Sequence, residues 1–332
     1  MSTHDRRACS AFLNLVAPPI ANSMVSNIKN SDPKFIDILR ESHFYMICGR
    51  AEAKFEKVNV SPLGDIDIEI ALKSGLVSSG VLHIPKMKFI RAVIPDSSMN
   101  LKLKIKNDSD SLLIYHDGLL VFGTTPDELL MRRGRHESLV SGFNNYLEMM
   151  TFDLLYTGIA KENQNSYSRL IEKGHKARMD ILAQEEQRSP GARVSDETYL
   201  LLFKIEPLTV TVFGVGDFDD EDFDFSIDYH RIIADAEKAI ISTFKPKYNI
   251  QLYANYPKGK DGLYQQGYDG YSYSIAEGFA FNTAYGEIKG ARDDKDIFPS
   301  NEADFISVEG DMVTLNISGV DFNIPLDNIE SE

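Results

Sequence analysis

The clearest pattern in the chain lies between Asp228 and Lys245, where Ile233, Ile240, Ile241 and Phe244 recur at spacings of three, four and seven. This is the period of an amphipathic helix. Pro246 lacks an amide donor and pushes its predecessor out of helical geometry, so the helix must end near Phe244 or Lys245. Glu237 breaks the pattern: it stands four residues after Ile233 and three before Ile240, inside the apolar stripe. A carboxylate there is costly unless a cation, a metal or several donors meet it. An internal pairing with Arg169 or Arg231 and a functional role are both open at this point.

A second informative stretch is 153–182. Leu154 to Ala160 reads as an apolar, aromatic strand, Glu162 to Asn165 as a polar loop, and Ser166 as the cap of a helix starting near Tyr167. Arg169 would fall in the first turn of that helix. His175 comes six residues later, off the face of Arg169 in an unbroken helix, unless Gly174 breaks it.

The other segments set the fold class. One helix is predicted around Pro33 to Ser42. From Ala53 to Phe122 the pattern changes to short alternating runs: 54–60, 65–72, 80–84, 87–94, 100–105, 112–115 and 119–122. Turn-forming clusters separate them, the sign of a mostly antiparallel β domain. Lys102, Lys104 and Lys106 alternate with apolar residues there, as a solvated strand face or a phosphate-binding ridge. Thr125 to Met150 reads as one or two helices, opening on Thr125-Pro126-Asp127-Glu128. Thr198 to Ile205 and Leu208 to Val215 are expected to form a hairpin across Glu206-Pro207. After Lys260 the chain is rich in tyrosine and turns, and alternating runs flank Glu309-Gly310-Asp311 and Ser318-Gly319. The expectation is an α+β protein: an N-terminal β-rich domain with a leading helix (1–124), a small α/β domain with a mostly antiparallel sheet (125–260), and an acidic, tyrosine-rich β extension (261–332).

Composition narrows the function classes. The chain has 332 residues, 43% hydrophobic content and a mean hydropathy of −0.24, ordinary values for a globular protein. No apolar run approaches the ~20 residues needed to span a bilayer, and Cys9 and Cys48 have no metal-ligand spacing. A cytoplasmic location is the default expectation. The net charge of −15 weighs against a nucleic-acid partner, but the acids are unevenly placed. Residues 261–332 hold 3 basic and 15 acidic groups, and the loop Asp217 to Asp228 carries seven acids. A basic phosphate-facing surface is therefore compatible with the middle segment. There is no phosphate-binding loop, dinucleotide fingerprint, zinc spacing or nucleophile elbow.

Taken together, Tyr156-Thr157-Gly158-Ile159-Ala160, Arg169-Leu170 with His175, and Glu237 with Lys245-Pro246-Lys247-Tyr248-Asn249 resemble the GIY-YIG nuclease family over about residues 145–257. Thr157 stands where the family has Ile, and Tyr146 in Asn144-Asn145-Tyr146 is the candidate for the first tyrosine. The resemblance implies a magnesium-dependent (or manganese-dependent) endonuclease acting on DNA, with restriction or defence against foreign DNA as its setting. It assigns the metal to Glu237, the scissile phosphate to Arg169, the attacking water to Tyr156, and proton transfer or water orientation to His175. Asn249 would fix the local backbone or the metal's surroundings, and Lys161, Lys245 and Lys247 would meet nucleic acid. The alternative is a GIY-YIG-like module that binds nucleic acid or protein without cutting. The tyrosine-rich C-terminal segment is a candidate surface for a homo-oligomer or a protein partner.

Overall fold

A computed structural model describes residues 6–61, 64–87, 103–161, 163–213, 227–293, 298–320 and the pair Ile324–Pro325. The expected run at 87–94, beyond Met87, and the acidic loop up to residue 226 lie outside them. Eighteen strands occur among the described residues. In chain order they are β1 (Arg6–Leu15), β2 (Ile20–Ala21), β3 (Phe44–Gly49), β4 (Ala53–Val60), β5 (Ile66–Leu72), β6 (Val77–Leu82), β7 (Leu103–Asn107), β8 (Leu112–His116) and β9 (Leu119–Thr124). There follow β10 (Val140–Gly142), β11 (Thr151–Ile159), β12 (Thr198–Val212), β13 (Gly270–Ile275), β14 (Ala280–Thr283), β15 (Gly286–Lys289), β16 (Phe305–Glu309), β17 (Met312–Asn316) and β18 (Ile324–Pro325). The protein is α+β, built mostly of sheet with few helices.

An 11-stranded sheet forms the body, in the order β15-β14-β11-β3-β12-β1-β13-β16-β17-β18, with β2 also paired to β12. Its pairings are antiparallel except β1 with β13 and β11 with β14. The sheet draws strands from all three expected segments. β1 to β3 come from 1–124, β11 and β12 from 125–260, and the last six from 261–332. Residues between β3 and β11 form two smaller sheets, β10-β6-β5-β4 and β7-β8-β9.

Alternation along β3 explains how the sheet separates two cores. Phe44, Met46 and Cys48 face the larger one, which includes Ile232, Ile233, Ala236, Ala239, Ile240 and Phe244 of the Tyr229–Phe244 helix. Tyr45 and Ile47 face the smaller one, which includes Tyr167, Leu170, Ile171 and Ile181. That helix follows the sequence closely: the Asp228 side chain accepts the Arg231 N–H at 3.1 Å, and Lys245 ends it in the left-handed conformation with φ 48°.

Buried ions fix the joints. Arg50, at the end of β3, is 5% exposed and lies between the Phe152 and Tyr199 rings, each 4.7 Å from its guanidinium carbon. It donates to Asp127 at 2.5 Å, to Tyr199 Oη at 2.9 Å and to the Met149 carbonyl at 3.0 Å. One cation thereby ties the exit of the 50–150 segment to its return, and its partners offset the cost of burying it. In the C-terminal segment, Glu277 is 0% exposed and receives Arg135, Arg292 and the Leu15 N–H. Asp235, also 0% exposed, accepts from Tyr273 Oη of that segment at 2.8 Å, from the Leu263 N–H at 2.6 Å and from Tyr256 Oη, just before it, at 2.6 Å.

Two local expectations are corrected and one is refined. Thr198 to Val212 is one continuous strand, not a hairpin across Glu206-Pro207. β3 pairs it only through Phe203, so Pro207 lies in the half paired by β1 alone, where a missing amide is tolerated. Thr125 to Met150 holds two helices, Pro126–Gly134 and Tyr146–Met149, but the second is a single turn. His136 (φ 54°), Gly142 (φ 76°) and Phe143 (φ 44°) adopt left-handed backbone, leaving β10 and the short helix Tyr146–Met149. The turn before Arg169 is capped by Asn165, whose Oδ1 accepts the Ser168 N–H at 2.8 Å; Ser166 is buried against Ser42 instead.

Candidate active site

The first two candidate side chains, Tyr45 and Tyr156, stand on the neighbouring strands β3 and β11. A bulge in β11 between Leu154 and Tyr156 breaks the alternation, so Leu155 and Tyr156 both turn to the Tyr45 face. Gly158 is paired directly with Tyr45. A Cβ at Gly158 would lie 2.7 Å from Tyr45 Oη and 2.9 Å from Tyr156 Cε1, so glycine is what lets the two rings close over the strand. The rings stack with centroids 6.2 Å apart and an interplanar angle of 20°.

Among the described residues, the outer edge of β11 has no strand partner beyond Asp153, and the late motif covers it. The Tyr248 N–H donates to the Leu155 carbonyl at 2.8 Å. Asn249 Oδ1 accepts the Thr157 N–H at 2.9 Å while its Nδ2 donates to the Thr157 carbonyl at 2.8 Å. The Ile159 N–H lies on the side of Glu237, where it favours the charged carboxylate. Side chains thus replace the missing ladder, leaving these backbone groups paired rather than orphaned. The same arrangement sets Glu237 against the end of the strand that carries Tyr156.

Arg169 and His175 arrive on a separate segment. Ser168–Glu172 forms a π-helical turn, and Gly174, at φ 73°, ends it, leaving His175 extended ahead of the helix Lys176–Gln184. The break resolves the six-residue spacing: Arg169 Nη2 donates to His175 Nε2 at 3.2 Å. Tyr45 Oη lies 3.4 Å from the same nitrogen. The His175 ring is 5.9 Å from that of Tyr45 and 5.8 Å from that of Tyr156, and the Arg169 guanidinium carbon is 6.0 Å from the centre of the Tyr45 ring. Arginine can only donate, so Nε2 is the acceptor and Nδ1 carries the hydrogen. Nδ1 is buried with no partner among the described residues.

Burial and charge sort the protonation states. Burial, then Arg169, lowers the His175 pKa, so the imidazole is neutral at pH 7. Burial raises Tyr45 and Tyr156, with further contributions from neighbouring groups, so both hydroxyls remain protonated. Tyr253 is pushed up to about 12 by burial and by Glu237, which places it in the same electrostatic neighbourhood. Burial lifts Glu237 to about 7 despite the opposing effects of Arg169 and the Ile159 N–H. A desolvated carboxylate so poised is what a divalent cation would neutralise. No cluster of three potential ligands occurs among the described residues. A single carboxylate still fits magnesium, which retains several waters and takes one or two protein carboxylates.

Of the expected residues, Tyr156, Arg169, His175, Glu237 and Asn249 belong to this one region. Tyr146 does not. It opens the Tyr146–Met149 helix beneath the Arg133 guanidinium, at 5.2 Å, and packs on the larger core across the sheet. The tyrosine stacked on Tyr156 is Tyr45. Lys161 is exposed just past β11. The Lys245 ammonium lies 5.1 Å from the centre of the Tyr285 ring, and Lys247 pairs with Glu185 at 2.7 Å. Arg231 pairs with Asp228 at 3.2 Å rather than with Glu237. The signal for Tyr45 was the six-residue apolar run Phe44–Gly49, whose partner strand is remote in sequence. No protein-family model matches the chain, and comparisons with curated proteins and with solved structures give no match.

Proposed function

We propose that the chain is a metal-dependent endonuclease of the GIY-YIG type, hydrolysing phosphodiester bonds in DNA. The observation that carries this reading is the convergence of Tyr45, Tyr156, Arg169, His175 and Glu237 from three regions far apart in sequence. A core needs no such meeting of a raised carboxylate, a neutral imidazole and two stacked phenols around a guanidinium.

The roles follow from the protonation states. Arg169 offers paired donors to the non-bridging oxygens of the scissile phosphate and offsets the charge that grows there during attack. Tyr156 orients the attacking water through a neutral hydroxyl. When Arg169 turns from His175 to the phosphate, Nε2 is released as an acceptor, and Tyr45 takes a proton from that water as it passes its own to this nitrogen. Asn249 keeps the strand edge in register, holding Glu237 and Tyr156 in fixed relation. Glu237 would hold one magnesium or manganese ion, which supplies Lewis-acid stabilisation of the phosphate and the leaving oxygen.

The test is nicking of supercoiled plasmid by purified protein with magnesium, with chelator, and as Glu237→Ala. Cleavage that needs magnesium and disappears in the variant is expected. A folded wild type that binds DNA yet cuts neither DNA nor RNA would support the reading as a binding module instead.

A further inference from the structure

The turn that presents Arg169 and His175 also walls an open cleft of about 530 Å³. Lys173, Gly174, Asn22, Lys29, Asn30 and Arg178 are among its lining residues, and the Lys29 ammonium donates to the Glu172 carbonyl at 3.5 Å. The Arg178 guanidinium is half-buried, donating from Nε to Asn22 Oδ1 at 2.5 Å and from Nη1 to the Leu170 carbonyl at 2.6 Å. Among the described residues no carboxylate pairs with Arg178, Lys29 or Lys173. Burial depresses the Arg178 pKa with no anion to oppose it. Glu172 also borders the cleft, but Ser168 at 2.7 Å and Arg40 at 3.4 Å engage its carboxylate. In a chain of net charge −15, three cations around one cleft leave a local excess that an anion would relieve.

We infer that this cleft is a phosphate subsite, holding the nucleic-acid backbone beside the phosphate bound by Arg169. The inference rests on the nuclease reading above and adds a path for the strand. The backbone enters past Lys29 and Lys173, is fixed by Arg178, and reaches the reacting phosphate through the loop that carries His175. Contacts of this kind position the strand without reading sequence.

Lys29 and Lys173 are exposed, so Lys29→Gln/Lys173→Gln leaves the core intact. The experiment measures binding of a fluorescent DNA duplex to the full chain in chelator, from ~50 to ~200 mM salt. Removing two phosphate contacts should make the slope of log affinity against log salt shallower by about 1.8, with equal weakening on unrelated sequences. A double variant with the wild-type slope, in a chain that binds and cuts DNA, would remove the subsite and leave the nuclease reading standing. Failure of wild type to bind DNA at low salt would overturn both.

Discussion

Glu237→Gln should make the protein more stable while disabling its site. The folded chain holds the Glu237 proton more tightly than the unfolded chain, because burial raises the carboxyl from 4.5 to about 7. The sign is therefore destabilising for the ionised form. The cost is absent below pH 4.5, grows as the unfolded state loses its proton first, and levels off above about 7. At ~1.4 kcal/mol per pH unit, the rise amounts to about 3 kcal/mol at pH 8. Glutamine keeps an acceptor for the Ile159 N–H and carries no charge. The difference in unfolding free energy between variant and wild type, read from urea titrations in chelator, should grow by about 3 kcal/mol between pH 4 and pH 8. Magnesium should then narrow the gap at pH 8, since a ligand at 100 times its dissociation constant adds ~2.7 kcal/mol to the form that binds it. A gap that does not change with pH would refute the argument that Glu237 is a desolvated carboxylate. One that magnesium leaves untouched would count against Glu237 as the metal holder.

Three substitutions test the supports of the site. Asn249→Ala leaves the N–H and carbonyl of buried Thr157 without their partners and should cost about 2 kcal/mol in urea unfolding; a neutral result would show that the strand edge does not depend on the amide. Gly158→Ala drives a methyl into Tyr45 and Tyr156 and should cost ~1–3 kcal/mol together with loss of nicking; retained nicking would mean that the stacked rings are not needed. Gly174→Ala meets no atom within 4 Å and should cost only ~1 kcal/mol, from its left-handed backbone, yet slow nicking by disturbing His175; an unchanged rate would separate His175 from the reaction.

Local signals reveal what local forces control. Asp228, the isoleucine stripe and Pro246 determine the Tyr229–Phe244 helix, so it was legible with its odd carboxylate. Gly174 was legible as a break, because glycine alone adopts φ 73° without penalty. Tyr45 was not, since its role depends on β3 pairing with β11 across the 50–150 segment, a long-range choice that no local spacing encodes. Nearness to Tyr156 in sequence points to Tyr146 instead, and sequence distance is a poor guide to sheet neighbours. Pro207 misled in a similar way: whether proline ends a strand depends on whether a second strand needs its amide, which only the sheet order decides.

The proposed cleavage requires Tyr45 and Tyr156 to act as one reactive pair with Arg169, His175 and Glu237. Its most direct test compares Tyr45→Phe with Tyr146→Phe in the magnesium-dependent nicking assay. Both changes remove one hydroxyl and keep the ring. Tyr45→Phe should lose ~10²-fold or more in rate, the scale of a lost proton-transfer group, while Tyr146→Phe cuts like wild type. Equal activity of the two variants, or greater loss from Tyr146→Phe, would contradict the account.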